Sequence, residues 1–155
     1  LAADKALFVV VHANHPRELT PAMRNAVTRL VRAGIPVLSQ SVLLRGVNDD
    51  PAVLEALFRG LVAMRVKPYY LHHPDLAPGT GHFRLGIAEG QRLVGGLRGR
   101  VSGLCQPTYV LDIPGGYGKV PLAASAVAPG EQAGCWLIED SSGRRHLYPP
   151  PRSKR

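Results

Sequence analysis

Cysteine is scarce in this 155-residue chain: there are two, Cys105 and Cys135. They stand too far apart for a CxxC metal or redox pair, and a disulfide-stapled secreted domain would carry more. No RNA-binding aromatic motif and no zinc-finger spacing occurs, so the formal charge of +8 is not by itself a nucleic-acid footprint. The basic residues are spread along the helical patterns and cluster only in the terminal PPPRSKR. No run approaches the ~20 apolar residues that cross a bilayer. The opening LAADKALFVVVHANHP lacks the basic start and long apolar run of a signal peptide. These absences lead us to expect a cytoplasmic domain with neither a nucleic-acid nor a membrane partner. An initiating Met is also missing, and a buried-strand pattern begins at Leu7. We therefore expect the C-terminal part of something longer.

What is present is 45% hydrophobic and sized for one folded domain. ALFVVVH (6–12) and IPVLSQSVLL (35–44) are apolar runs of the kind that form strands buried on both faces. KPYYLHH (67–73) and PTYVLDI (107–113) read as two more strands. Between them lie amphipathic segments with start signals. Thr20 before Pro21 caps one helix, which Gly34 ends, and Asp50 before Pro51 caps the next. A weaker helix is predicted near 88–97, where Gly90, Gly95 and Gly96 lower propensity. Strand–helix alternation at this spacing predicts a parallel α/β sheet with right-handed crossovers, a partial (β/α) barrel over residues 1–122. Residues 123–155 form a tail of different character, with a hairpin expected around SSG and a disordered basic end.

The polar residues fall at strand C-terminal ends, the edge that carries the chemistry in such folds. His12, Gln40, Asp75 and Asp112 all lie there. Beyond them, DIPGGYGKVPL holds one lysine, Lys119, in a Gly-rich and otherwise apolar stretch. A phosphate-binding loop is excluded, because Ile113 replaces the first glycine and Val120 follows the lysine. Buried, Lys119 would be a nucleophilic amine toward a carbonyl such as that of pyridoxal phosphate; exposed, it is an ordinary loop lysine. Asp75 and Asp112 would bind a cation if they share a cavity, or else simply shape turns. The histidines of HANHP and HHPD lack a matching carboxylate or thiolate set, so no metal site is assigned.

Taken in order, HANHPRELT, VLSQSVLLRGVNDD, PYYLHHPDLAPGTGHFR and LRGRVSGLCQPTYVLDIPGGYGKVPL resemble the lysine 2,3-aminomutase family of radical S-adenosylmethionine enzymes. The resemblance covers roughly residues 7–122. It implies that Lys119 holds pyridoxal 5′-phosphate through an imine, and that Asp75 and Asp112 bind the side-chain ammonium of L-lysine. It further implies that His12 and Gln40 line the S-adenosylmethionine site. The implied activity is that of an isomerase interconverting L-lysine and β-lysine by a radical 1,2-amino shift, started by a [4Fe-4S] cluster and homo-oligomeric at full length. The family's cluster-binding CxxxCxxC is absent here, so the cluster ligands are not in this chain. Alone, the chain is then expected to be incomplete and inactive. Asp50 stands at a position where some members carry a structural zinc ligand, and no zinc is expected. His72 stands where the family often has tyrosine. Two alternatives stay open: an aminomutase acting on a lysine of translation elongation factor P, whose members tend to lack the aspartate at 112, and a non-catalytic basic module binding anions or RNA.

Overall fold

The computed structural model describes residues 5–131, 135–140 and 142–148. It divides into two compact units, Leu1–Ala123 and Ala124–Arg155. In the first, strands β1 (Val9–His12), β2 (Val37–Val42), β3 (Val66–His72) and β4 (Thr108–Asp112) pair in chain order as a parallel sheet. A short fifth strand, β5 (Lys119–Pro121), pairs antiparallel to β4. The sheet is open and no closed barrel is formed among the described residues.

The helices form where the caps predict. Thr20 Oγ1 accepts from the Met23 amide at the start of α1 (Pro21–Arg32), and Asp50 accepts from the Ala52 amide at the start of α2 (Pro51–Ala63). Gly34 takes the left-handed conformation just past α1, with φ 75°. Helix α3 (Ile87–Gly95) follows β3. Leu54, Leu57, Phe58 and Leu61 of α2 are fully buried in one core with Val37, Val66, Leu71 and Tyr109 of the sheet. Each such side chain contributes about 1.5–3 kcal/mol. The helices thus cover one face of the sheet. The alternating positions Gln40, Tyr70, His72 and Asp112 lie on the other.

Two packing details fix the C-terminal strand ends. Asn48, fully buried, donates to the carbonyls of Asn14 and Val42 (both 2.8 Å) and accepts from the Leu44 amide (2.7 Å). Tyr109 reaches His73 Nδ1 at 2.7 Å beneath the β3 terminus. Burial raises the Tyr109 phenol to about 12 and lowers the His73 imidazole, with the nearby Arg84 adding to the latter. The hydroxyl therefore donates to a neutral ring.

The second unit is a three-stranded antiparallel sheet of β6 (Val127–Pro129), β7 (Trp136–Glu139) and β8 (Arg145–Tyr148). The β7–β8 hairpin was expected and β6 was not. Its turn is organised by Asp140, which accepts from Ser142, Arg144 and His146. The basic end expected to be disordered lies outside the described residues.

Candidate active site

The site is built where β4 and β5 face each other. Asp112 pairs in register with Lys119, and Ile113 N donates to Gly118 O at 2.9 Å to close the connecting loop. That loop needs its glycines for conformation: Gly115, Gly116 and Gly118 have φ of 91°, 81° and 96°. Lys119 is thus not the loop residue that the glycine-rich sequence suggests. It opens a strand, and its side chain folds across the sheet.

Lys119 Nζ lies 2.5 Å from both Asp112 carboxylate oxygens. It sits 5.3 Å from the centre of the Tyr70 ring, which adds a flat aromatic surface beside the amine. The side chain is 29% exposed and that of Asp112 is 45% exposed, so the amine is neither deeply buried nor free in water. A pair this exposed is worth about 0–1 kcal/mol to stability, so its value lies in positioning. The Lys119 ammonium first, then the His72 imidazole, hold the Asp112 carboxyl below its ordinary range.

His72 is the partner that the sequence did not reveal. Its Nδ1 lies 3.0 Å from Asp112 Oδ2 and 3.4 Å from Lys119 Nζ. Its Nε2 is buried and unpartnered among the described residues. A proton there would be a stranded donor costing about 1–3 kcal/mol, whereas Nδ1 faces a carboxylate oxygen, so Nδ1 is the donor and Asp112 accepts from it. The position in the chain gave no such signal, because the partner lies 40 residues away.

A cavity of about 390 Å³ opens beside this cluster, lined among others by His12, Gln40, His72, Asp75 and Asp112. His12 and Gln40 are register partners on β1 and β2. Asp75 is exposed on the loop after β3, held by Arg84 donating to its backbone carbonyl at 3.1 Å. A second cavity of about 510 Å³, mostly apolar, shares Asp75 and Asp112 with the first. The structure thus brings His12, Gln40, Asp75 and Asp112 around one space, with Lys119 joined to it through Asp112 and His72.

The residues fit pyridoxal phosphate at the level of an amine beside a cavity and an aromatic ring. They do not fit an iron–sulfur cluster. Cys105 is buried, Cys135 belongs to the second unit, and among the described residues no three His, Cys, Asp or Glu are placed so that they could hold a metal ion together.

Polar side chains gathered at the carboxyl ends of the parallel strands, with Lys119 brought to them by the antiparallel β5, make this an α/β protein with a candidate polar site at that edge. Comparison with known proteins narrows this class. No family model matches the chain. It is 48% identical over 121 residues to the L-lysine 2,3-aminomutase of Acetoanaerobium sticklandii, covering 78% of this chain and 29% of that protein. To the L-lysine 2,3-aminomutase of Fusobacterium nucleatum it is 46% identical over 116 residues, 75% of this chain and 27% of the relative. To the glutamate 2,3-aminomutase of Clostridioides difficile it is 40% identical over 116 residues, 75% of this chain and 28% of the relative. Over about 78% of its length, this chain matches proteins named L-lysine 2,3-aminomutase at close to half identity. It spans between 27% and 35% of the length of the curated relatives it matches.

Proposed function

We propose that this chain supplies part of the active site of an L-lysine 2,3-aminomutase, an isomerase that moves an amino group between adjacent carbons. The observation that carries the reading is the placement of Lys119, whose amine is held on a carboxylate that lines the same cavity as Asp75. Lys119 would hold pyridoxal phosphate, with Tyr70 alongside. When bound, that cofactor supplies the carbonyl carbon that carries the migrating nitrogen. Asp112 would hold the Lys119 amine beside the cavity and, once released from that pairing, would offer its carboxylate to a second cation. Asp75 and Asp112 together favour a substrate with a distal ammonium over one with a distal carboxylate, which two anions would repel. That favours lysine over glutamate, although the chain is similar to enzymes named for each. His12 and Gln40 line the same space and would contact S-adenosylmethionine. The cluster that starts the radical chemistry would be held by residues outside this chain.

The test is turnover by the enzyme carrying this sequence, supplied with both cofactors and a reductant, with products separated by chromatography after derivatisation. L-Lysine is expected to give β-lysine, and Asp75→Ala and Asp112→Ala are each expected to raise KM for lysine by roughly tenfold or more, the scale of a charge-assisted hydrogen bond. Preference for glutamate, or for lysine held in a protein, would overturn the assignment of the two carboxylates.

A further inference from the structure

Asp112 is shared. Lys119 Nζ lies 2.5 Å from its oxygens, His72 Nδ1 lies 3.0 Å from Oδ2, and the two nitrogens stand 3.4 Å apart. With His72 Nε2 buried and unpartnered among the described residues, the ring donates from Nδ1. Two donors thus converge on one anion. A hydrogen bond to Asp112 draws off part of the negative charge that favours the ammonium form of Lys119. It also leaves the carboxylate partnered once the amine departs.

We infer that His72 sets how readily Lys119 becomes a free, nucleophilic amine, by sharing the Asp112 carboxylate with it. The inference rests on Lys119 being the cofactor-holding amine. In the step itself an N–H bond of the ammonium breaks, the proton passes to water and the electron pair stays on Nζ. Asp112 remains hydrogen-bonded to His72, and nothing is oxidised or reduced. The groups facing His72 are Asp112 from β4, Lys119 from β5 and Tyr70 from its own strand, the last with ring centres 5.8 Å apart. His12 and Asp75 line the same cavity.

Trace acetylation with acetic anhydride from about pH 7 to about pH 11, spanning ordinary lysine titration, reads the Lys119 midpoint when resolved by peptide mass spectrometry. His72→Phe keeps a ring and removes the donor. Its Lys119 midpoint is expected to rise by roughly half to one pH unit, or about three- to tenfold less labelling on the acid side. His72→Asn places an amide nitrogen where Nδ1 stands and is expected to restore the midpoint. An unchanged or lowered midpoint in His72→Phe overturns the inference, as does His72→Asn behaving like His72→Phe. Lys67, bonded to the carbonyls of Leu104 and Gln106, serves as the folding control through its own labelling. If His72→Phe fails that control, His72→Leu takes its place with the same expectation. Acetylation needs no cofactor. Failure of pyridoxal phosphate to attach to Lys119 would therefore sink the functional reading, while the His72 result would be read separately.

Discussion

Gly90 sits on α3 against the buried Tyr109 ring, and replacing it with alanine sets two effects against each other. Helix propensity favours alanine by about 1 kcal/mol. Packing opposes it. A Cβ at Gly90 would fall far inside van der Waals contact with the Tyr109 hydroxyl and only 2.7 Å from its Cζ. Tyr109 is 1% exposed and cannot swing aside into solvent. Overpacking of this kind costs about 1–3 kcal/mol. Displacing the hydroxyl also strands His73 Nδ1, worth about 1–3 kcal/mol more. Packing wins, and the net loss is about 1–5 kcal/mol, centred on ~3 kcal/mol. At the centre of that range, with a urea dependence of about 2 kcal/mol per molar, the midpoint should fall by roughly 1.5 M. Gly95→Ala is the control, since nothing lies within 4 Å of its Cβ; it should be neutral or slightly stabilising. Adding Tyr109→Phe to Gly90→Ala should recover only part of the loss, because the ring carbon still clashes. A Gly90→Ala chain as stable as the parent would refute the packing of α3 on β4, and with it the support for the β3 end that carries His72 and His73.

Asn48→Ala should cost about 2–4 kcal/mol in the same urea titration, since it strands two buried carbonyls and one amide; a loss under ~0.5 kcal/mol would mean that water replaces the side chain. The β7–β8 hairpin should loosen in acid. Ser142 first, then His146, hold the Asp140 carboxyl well below the ordinary carboxylate range. A depressed folded pKa stabilises above the unfolded value, about 4, and that stability is lost as pH falls through the folded value. Trp136, the single tryptophan and the register partner of Tyr148, should report this as an emission change below about pH 4. Asp140→Asn should show no such acid step, and a flat parental signal would contradict the turn network.

Much of the fold is written locally. Thr20–Pro21 and Asp50–Pro51 mark helix starts because a side-chain acceptor and a preset φ act within a few residues. The four parallel strands overlap the segments 6–12, 35–44, 67–73 and 107–113 that the sequence marks as strands, although β1, at the sheet edge, is not buried on both faces as its apolar run suggested: Val10 is 47% exposed. β5 and β6 were not legible. Each is three residues long, and β5 exists because the positive-φ glycines turn the chain back onto β4, not because Lys-Val-Pro favours a strand. At the site, strand-end position pointed to His12, Gln40, Asp75 and Asp112, and the structure places these around one cavity. It could not point to the Asp112–Lys119–His72 cluster. That depends on which face each residue takes after the β-bulge between Ser39 and Gln40 and on the β4–β5 register, both set by tertiary pairing.

On the proposed function, Lys119 is the amine that takes up pyridoxal phosphate. Incubation with the cofactor, reduction with borohydride and peptide mass spectrometry measure it directly. A reduced pyridoxyl adduct is expected on Lys119 and is expected to disappear in Lys119→Ala. Labelling spread over surface lysines with Lys119 unmodified, or undiminished labelling in Lys119→Ala, would contradict it.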